Sequence, residues 1–167
     1  MFYSTELITP LGTVTLASDG DALCGLWFHG QKYFAASISG AMHQKDGLEI
    51  FGETKNWLER YFTGKRPEIR ELPLRPIGSE FRQNVWKILC EIPYGEVTTY
   101  GEIAQRIADE QGLESMSAQA VGGAVGHNPI SIIIPCHRVV GSDGNLTGYA
   151  GGIEKKRKLL EHEGAVL

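Results

Sequence analysis

The feature that most constrains this chain is an apolar run that ends in Pro135-Cys136-His137-Arg138. Residues 130–134 are isoleucine at every position except Ser131, and so short a run of β-branched side chains is typical of a strand buried on both faces. Pro135 would end such a strand, because proline has no amide hydrogen to donate. The sequence therefore predicts a buried strand that carries a cysteine at its end.

Cys136 has two open interpretations. A free cysteine is among the side chains most often buried as a small apolar group. Alternatively, His137 and Arg138 offer an imidazole and a guanidinium, which are the groups that activate a thiol as a nucleophile. Adjacent residues on a strand point to opposite faces, so His137 would act through the backbone turn or a bridging water.

Length, cysteine usage and charge limit the class of protein. The 167 residues suffice for one or two small domains, and the three cysteines form no CxxC pair, which favours a reducing cytoplasm and no zinc site. No apolar run approaches the roughly 18 residues of a membrane helix, and no secretory signal is evident. The net charge of −4 argues against broad electrostatic binding of nucleic acid, so any DNA contact must be a local surface.

The first half of the chain predicts a small sheet with one helix. Alternating patterns and turn signals favour three short antiparallel strands over residues 2–9, 13–18 and 22–28, and residues 48–62 have helical spacing. Residues 65–78 hold three prolines without periodicity, which indicates a linker. We therefore predict a structural domain over 1–78 and a second domain over 79–167.

The second half predicts short helices. Ser79 can cap the first, a capping box from Thr99 to Glu102 opens the next, and a polar connection over 109–116 leads to a helix that begins near Ser117. Two helices joined by a turn suggest a helix-turn-helix. The closing helix runs from 153 to 163, where four consecutive basic residues, 155–158, are interpreted as a solvated face.

Two features of these helices are unusual. Gly122 and Gly123 lie inside a helix at a cost of about 1 kcal/mol each relative to alanine. They allow either close helix packing or close approach of the backbone to a narrow partner such as the DNA minor groove. Glu161 and Glu163 lie at a helix C-terminus, where the helix dipole disfavours an anion, which suggests that one of them has another role.

These residues together resemble the O6-alkylguanine-DNA alkyltransferase family. The resemblance is carried, in chain order, by Gly95-Glu96-Val97 leading to Tyr100, Ala120-Val121-Gly122-Gly123-Ala124 with Asn128-Pro129, Pro135-Cys136-His137-Arg138-Val139, Thr147-Gly148-Tyr149-Ala150-Gly151-Gly152, and His162-Glu163-Gly164. It implies an α+β protein with a ribonuclease-H-like N-terminal domain and a mostly helical C-terminal domain that contains a winged helix-turn-helix.

The resemblance implies a reaction that consumes the protein. An alkylated guanine is flipped out of duplex DNA, and its O6-alkyl group moves irreversibly to Cys136, with O4-alkylthymine as a possible further substrate. Activation would run from Cys136 through water and His137 to Glu163, and Asn128 would hold the turn. The implied protein is a cytoplasmic monomer that binds the minor groove and needs no cofactor, metal or membrane.

The remaining functional positions are also implied by the resemblance. Tyr100 would crowd the phosphate beside the flipped nucleotide, Gln119 would fill the gap that the base leaves, and Tyr149 would donate a hydrogen bond to the base. Both tyrosines have a half-buried structural alternative. The other positions assigned to DNA or to the base pocket are Ala120, Gly122, Gly123, Arg138, Val139, Ala150 and Gly151.

Three departures from the family pattern bear on these roles. Gln119 stands where the family commonly has an arginine, so we expect weaker base flipping or weaker DNA affinity. The stretch from 109 to 117 is longer than usual, and Ala150 replaces a serine found in some members. Three other classes stay open: a lesion binder without repair activity, a winged-helix transcription regulator, and a cysteine hydrolase that turns over.

Overall fold

The structure, a computed structural model, describes residues 1–166 and divides into two units. The first unit holds Met1–Gly78 together with Pro129–Ile133, and the second holds Ser79–Asn128 and the chain from Ile134 onward. The chain thus returns to the first unit for five residues shortly before Cys136. Within residues 1–166, no helix combines the length and the apolar character needed to cross a membrane.

A four-stranded sheet forms the first unit. In the spatial order β3-β2-β1-β4, its strands are β1 (Phe2–Thr9), β2 (Gly12–Ser18), β3 (Leu23–Phe28) and β4 (Met42–Gln44). The first three are antiparallel, as predicted, whereas β4 joins β1 in parallel and was not predicted. Helix α1 (Glu49–Phe62) lies within the predicted helical stretch and contacts β1 and β3.

Strand β3 is at the edge of this sheet, yet all six of its residues are buried. Two irregular segments supply its missing hydrogen bonds. The Leu23 amide donates to the Pro73 carbonyl at 2.8 Å, and the Leu26 amide donates to the Pro129 carbonyl at 2.8 Å. An unpaired edge strand invites aggregation, and residues 129–131 help to close this edge.

The isoleucine run is buried as predicted, but the predicted strand is wrong. Only Ile130 forms a bridge, to Leu26, and residues 131–134 turn. The Ile133 amide donates to the Ser131 carbonyl at 2.8 Å, which places Ile132 in the left-handed region at φ 70°. Proline at both ends of the run removes two ladder donors, and β-branched composition reports burial more reliably than backbone torsion.

Four helices build the second unit: α2 (Glu80–Cys90), α3 (Tyr100–Gln111), α4 (Ala118–Gly126) and α5 (Ile153–Glu163). Ser79 and Ser117 cap α2 and α4 through their hydroxyl oxygens, and the predicted capping box opens α3. The polar connection predicted from 109 begins too early, because α3 continues to Gln111 and ends at Gly112.

Two contacts fix the helix-turn-helix region. The Trp86 indole on α2 donates to the Ala124 carbonyl on α4 at 2.9 Å, and both residues are buried. A two-residue parallel pair, β5 (Thr98–Thr99) with β6 (Val139–Val140), joins the start of α3 to the chain just after Cys136. The motif on α4 and the cysteine turn therefore belong to one packed unit.

We expect the strain at Ile132 to be measurable by comparison with Ile133. Both side chains are 1% exposed, so glycine at either position removes a similar buried side chain, at about 4 kcal/mol. Ile132→Gly also relieves the left-handed backbone, worth about 1–2 kcal/mol, whereas Ile133→Gly relieves nothing. Urea unfolding should show Ile133→Gly as the less stable variant by that difference, and equal losses would contradict the strain.

Candidate active site

The Cys136-His137-Arg138 segment forms a single 3-10 turn in the second unit, and all three side chains are buried. Asn128, just after α4, donates from its side-chain amide to the Ile134 carbonyl at 2.8 Å. This bond holds the backbone two residues before the cysteine. The family resemblance assigns Asn128 the role of holding this turn, and that role stays a prediction.

The Cys136 thiol is protonated at rest. Burial raises its pKa because a thiolate loses solvation in an apolar site, and a hydrogen bond with the Asn128 side chain and the charge of Lys156 offset only part of that rise. Burial also raises the pKa of the partly buried thiol of Cys90, to about 11. Neither thiol is a ready nucleophile, so a base must remove the proton as Cys136 reacts.

The Glu163 carboxylate, 4% exposed, is the centre of the buried polar network. One oxygen lies 2.7 Å from Nε2 of His137. Arg138 donates to the two oxygens at 2.8 Å and 3.1 Å, and its third nitrogen donates to the Ile92 carbonyl at 2.6 Å. The arginine and the histidine thus compensate an anion at the C-terminus of α5, where the helix dipole alone would oppose it.

These contacts assign the proton positions. Burial would raise the pKa of Glu163, but hydrogen bonds and charge from His137 and Arg138 outweigh it and lower that pKa far below the usual range. Burial lowers the pKa of His137 despite its carboxylate partner, so the imidazole is neutral. An ionised Glu163 can only accept, so Nε2 carries the hydrogen and Nδ1 carries the lone pair.

Nδ1 of His137 is therefore the candidate base. It is buried and has no hydrogen-bond partner among the described residues. His137 and Cys136 share one 3-10 turn, and no direct bond joins their side chains in the part of the chain described. The arrangement suits proton transfer through an intervening water better than direct contact.

Arg138 is placed differently from its predicted role in DNA binding. Its side chain is 7% exposed, and the guanidinium is held by Glu163, by the Ile92 carbonyl and by the ring of Tyr94 at 5.6 Å. Contact with a phosphate would require these buried bonds to break. The geometry instead makes Arg138 the charge partner of Glu163.

Helix α4, which is predicted to contact DNA, has no bulky apolar side chain among its exposed residues 119, 120 and 123. Gln119, Ala120 and Gly123 on α4 are exposed, and a methyl group built at Gly123 would meet no atom within 4 Å. Gly122 is partly buried, and a methyl group built there would lie 3.8 Å from the Tyr100 ring. Helix packing therefore does not require glycine at position 123, which leaves the close-approach interpretation.

The remaining predicted pocket positions lie on two segments. Tyr149, Ala150 and Gly151 are partly exposed in the loop before α5, whereas the Val139 side chain is fully buried in β6, so only its backbone can line a pocket. Tyr100, at the start of α3, accepts a hydrogen bond from Thr147 at 3.0 Å. That bond ties the loop to the helix-turn-helix.

Lys156 is a site residue that the sequence interpretation missed. The solvated basic face predicted for 155–158 is wrong at this position, because the Lys156 side chain is 0% exposed. Its ammonium donates to the Thr147 carbonyl at 3.2 Å. The signal was present, since positions 156, 159, 160 and 163 follow the period of one buried helix face.

Among residues 1–166, no group of three or more histidine, cysteine, aspartate or glutamate side chains is arranged to hold a metal ion.

Comparisons with known proteins identify relatives of the whole chain. Residues 2–76 match the family model described as "6-O-methylguanine DNA methyltransferase, ribonuclease-like domain", and residues 80–165 match its DNA binding domain. A methylated-DNA–protein-cysteine methyltransferase of Haemophilus influenzae is 43% identical over 96% of this chain and 86% of the relative. The structure of Mycobacterium tuberculosis OGT in complex with DNA is 41% identical, with a TM-score of 0.81, and the alignment covers 98% of this chain and 92% of that one.

We expect Glu163→Gln to destabilise the second unit in a pH-dependent way. Removing the carboxylate leaves Arg138 with a buried, uncompensated charge, at a cost of about 3–5 kcal/mol. Because the folded pKa of Glu163 is depressed, this stabilisation is complete above its ordinary value of 4.5 and is lost as the pH falls further. Urea unfolding from pH 7 to pH 3 should show the variant and the wild type converging at low pH.

Glu161→Gln is the matched control, because Glu161 is an exposed glutamate on the same helix. Its unfolding free energy should stay within about 0.5 kcal/mol of the wild type. A pH-independent loss in Glu163→Gln would contradict the ionised carboxylate.

Proposed function

We propose, because the chain belongs to the 6-O-methylguanine DNA methyltransferase family, that it repairs duplex DNA by moving the alkyl group of O6-alkylguanine to its own Cys136. Residues 79–167 form the DNA-binding and alkyl-transfer domain, and residues 1–78 form the structural domain. The observation that carries the proposal is the buried Glu163–His137 pair beside Cys136, with the basic nitrogen of the imidazole left available.

The transfer is a single displacement at carbon. As the Cys136 sulfur attacks the alkyl carbon, the carbon–O6 bond breaks and its electron pair remains with the guanine. The thiol proton passes through water to Nδ1 of His137, while Glu163 stays ionised and holds the imidazolium that forms. Guanine takes up one proton, so the products are neutral guanine and an S-alkylcysteine, with no net gain or loss of protons.

The side chains around the pocket stabilise the leaving base. Tyr149 donates a hydrogen bond to the guanine as negative charge develops on it, in the manner of an oxyanion hole. Ala150, Gly151 and the Val139 backbone line the pocket, and small residues there leave room for the flipped base. Asn128 keeps the cysteine turn in place throughout.

DNA contact is made through the minor groove by α4. The exposed surface of Ala120 and Gly123 lets the helix backbone approach a groove that ordinary side chains would block. Gln119 fills the space of the flipped nucleotide, and Tyr100 crowds its phosphate. This local surface supplies the contact that the net charge of −4 cannot supply over the whole molecule.

The protein acts once, as a monomer in the cytoplasm. The thioether formed on Cys136 is stable in water at neutral pH, and the relay of His137 and Glu163 contains no group that restores the thiol. The sulfur must also be reduced before it can react, which fits a reducing compartment. The reaction uses no cofactor.

We expect one methyl group per protein after mixing with a duplex that contains one O6-methylguanine. Intact-protein mass spectrometry and peptide mapping should place the added mass on the Cys136 peptide. Cys136→Ala should gain no mass, and Cys90→Ala should react like the wild type because burial keeps that thiol protonated. A duplex with O4-methylthymine tests the second substrate.

The other outcomes of this experiment separate the competing functions. Binding to the duplex without a mass change would make the protein a lesion binder. Release of methyl groups beyond one per protein would indicate a hydrolase that turns over. Binding of undamaged DNA at one preferred sequence would favour a transcription regulator.

We expect Gly123→Leu to abolish DNA binding while the fold is kept. The new side chain enters open space and improves helix propensity, but it blocks the approach of α4 to a groove. The matched control is Gly52→Leu, an exposed helical glycine on α1 with the same free space. Fluorescence anisotropy with a labelled duplex should show at least a tenfold loss for Gly123→Leu alone, and unchanged affinity would contradict the proposed surface.

A further inference from the structure

Lys156 is the buried charged residue that the relay does not use. Its side chain is 0% exposed and lies on the inward face of α5, one helical turn before Leu160. Lysine is almost never fully buried unless its ammonium has a partner, because desolvation of the charge is costly. The only hydrogen bond recorded for its ammonium within the described residues goes to a neutral acceptor, the Thr147 carbonyl at 3.2 Å.

The surroundings of Lys156 are those of the reaction site. The positive charge of its ammonium lowers the pKa of the Cys136 thiol, and it also lowers the pKa of His137 in the same 3-10 turn. Thr147, whose carbonyl Lys156 holds, donates from its hydroxyl to the Tyr100 phenol at 3.0 Å. The charge partner of Lys156 is therefore the thiolate form of Cys136, whereas its ammonium disfavours the protonated form of His137, and Tyr100 is linked to it through Thr147.

We propose that Lys156 is a positioning residue for alkyl transfer, whose ammonium favours ionisation of Cys136 and whose hydrogen bond to Thr147 fixes the loop that carries Tyr149. The proposal rests on the proposed function, since it assigns Lys156 a part in that reaction. It adds to the relay a positive charge on the side of the thiol, which the neutral His137 does not supply.

The pKa of Lys156 depends on Cys136 in the direction that this role requires. Burial lowers the pKa of Lys156 to about 8, and the Cys136 thiolate raises it in turn. The ammonium and the thiolate thus stabilise each other, and loss of either proton makes loss of the other harder. Near neutral pH the lysine is mostly charged, so it supports the thiolate in the range where repair takes place.

Burial of the ammonium also has a signature in stability. The unfolded chain holds this proton more tightly than the folded chain between about pH 8 and the ordinary lysine value of 10.5. The free energy of unfolding therefore rises with pH across that window and is lowest below it. A lysine that opposes folding at neutral pH fits a residue used for chemistry better than one used for packing.

The decisive measurement is the pH dependence of Cys136 alkylation by methyl iodide, which is small enough to reach a buried thiol and needs no DNA. Reaction rates at Cys136 are followed by peptide mass spectrometry from pH 6 to pH 10. The variants are Lys156→Met, which removes the charge and the hydrogen bond, and Lys156→Gln, which keeps a donor. Lys158→Met, an exposed lysine on the same helix, is the matched control.

We expect both Lys156 variants to react about tenfold more slowly at pH 7, where the wild-type lysine is charged, and to approach the wild-type rate above about pH 8, where it is not. Lys158→Met should match the wild type. An unchanged rate at pH 7 in either folded Lys156 variant would overturn the proposal. A slower reaction in Lys156→Met alone would also overturn it, because the effect would then come from the hydrogen bond and not from the charge.

Methyl transfer from DNA is measured in parallel on the same proteins. If the wild type gains no methyl group from an O6-methylguanine duplex, the proposed function fails, whereas the methyl iodide profile still reports on Lys156. Circular dichroism and thermal unfolding establish that each variant is folded. Lys156→Arg, which keeps a positive charge, should return the rate at pH 7 toward the wild-type value.

Discussion

The cysteine site depends on the interaction of the ionised Glu163 carboxylate with Arg138 and His137. This carboxylate is buried at the end of a helix whose dipole opposes it, and it persists because Arg138 binds both oxygens while His137 donates from Nε2. One consequence is chemical: the imidazole is forced into the tautomer that leaves Nδ1 basic. The other is structural, since Arg138 also reaches the Ile92 carbonyl and thereby joins the segment that follows α2, the end of α5 and the cysteine turn. The same charge cluster therefore serves packing and proton transfer.

Burial of Cys136 and the polar relay beside it have opposite effects on ionisation of the thiol until substrate arrives. Desolvation keeps Cys136 protonated, so the resting protein resists unwanted alkylation, and the proton leaves only when the sulfur begins to bond to carbon. In the proposed mechanism His137 takes the proton and Lys156 supports the developing thiolate. The polar groups are thus arranged to lower the energy of the transfer and not to hold a permanent thiolate.

The sequence was most informative where a local rule determines the backbone. The capping serines and Thr99, the alternation in the first strands and the glycine after α5 place most elements within a few residues of their observed ends. The pairing of His137 with Glu163 was reached from a family resemblance, since 26 positions separate the two residues in the chain. Local rules failed for the isoleucine run, because β-branched side chains indicate burial but do not exclude a left-handed turn at Ile132.

By itself the sequence determined the helices and the first three strands, which cysteine stands beside an imidazole, and which helix has a slim face. These follow from propensity, capping and periodicity, which act over a few neighbouring residues. Only the tertiary structure decided that Arg138 binds Glu163 inside the protein and that Lys156 is buried near Cys136. The reason is that solvation and charge depend on residues far apart in the chain, so a basic side chain has no fixed role until the fold surrounds it.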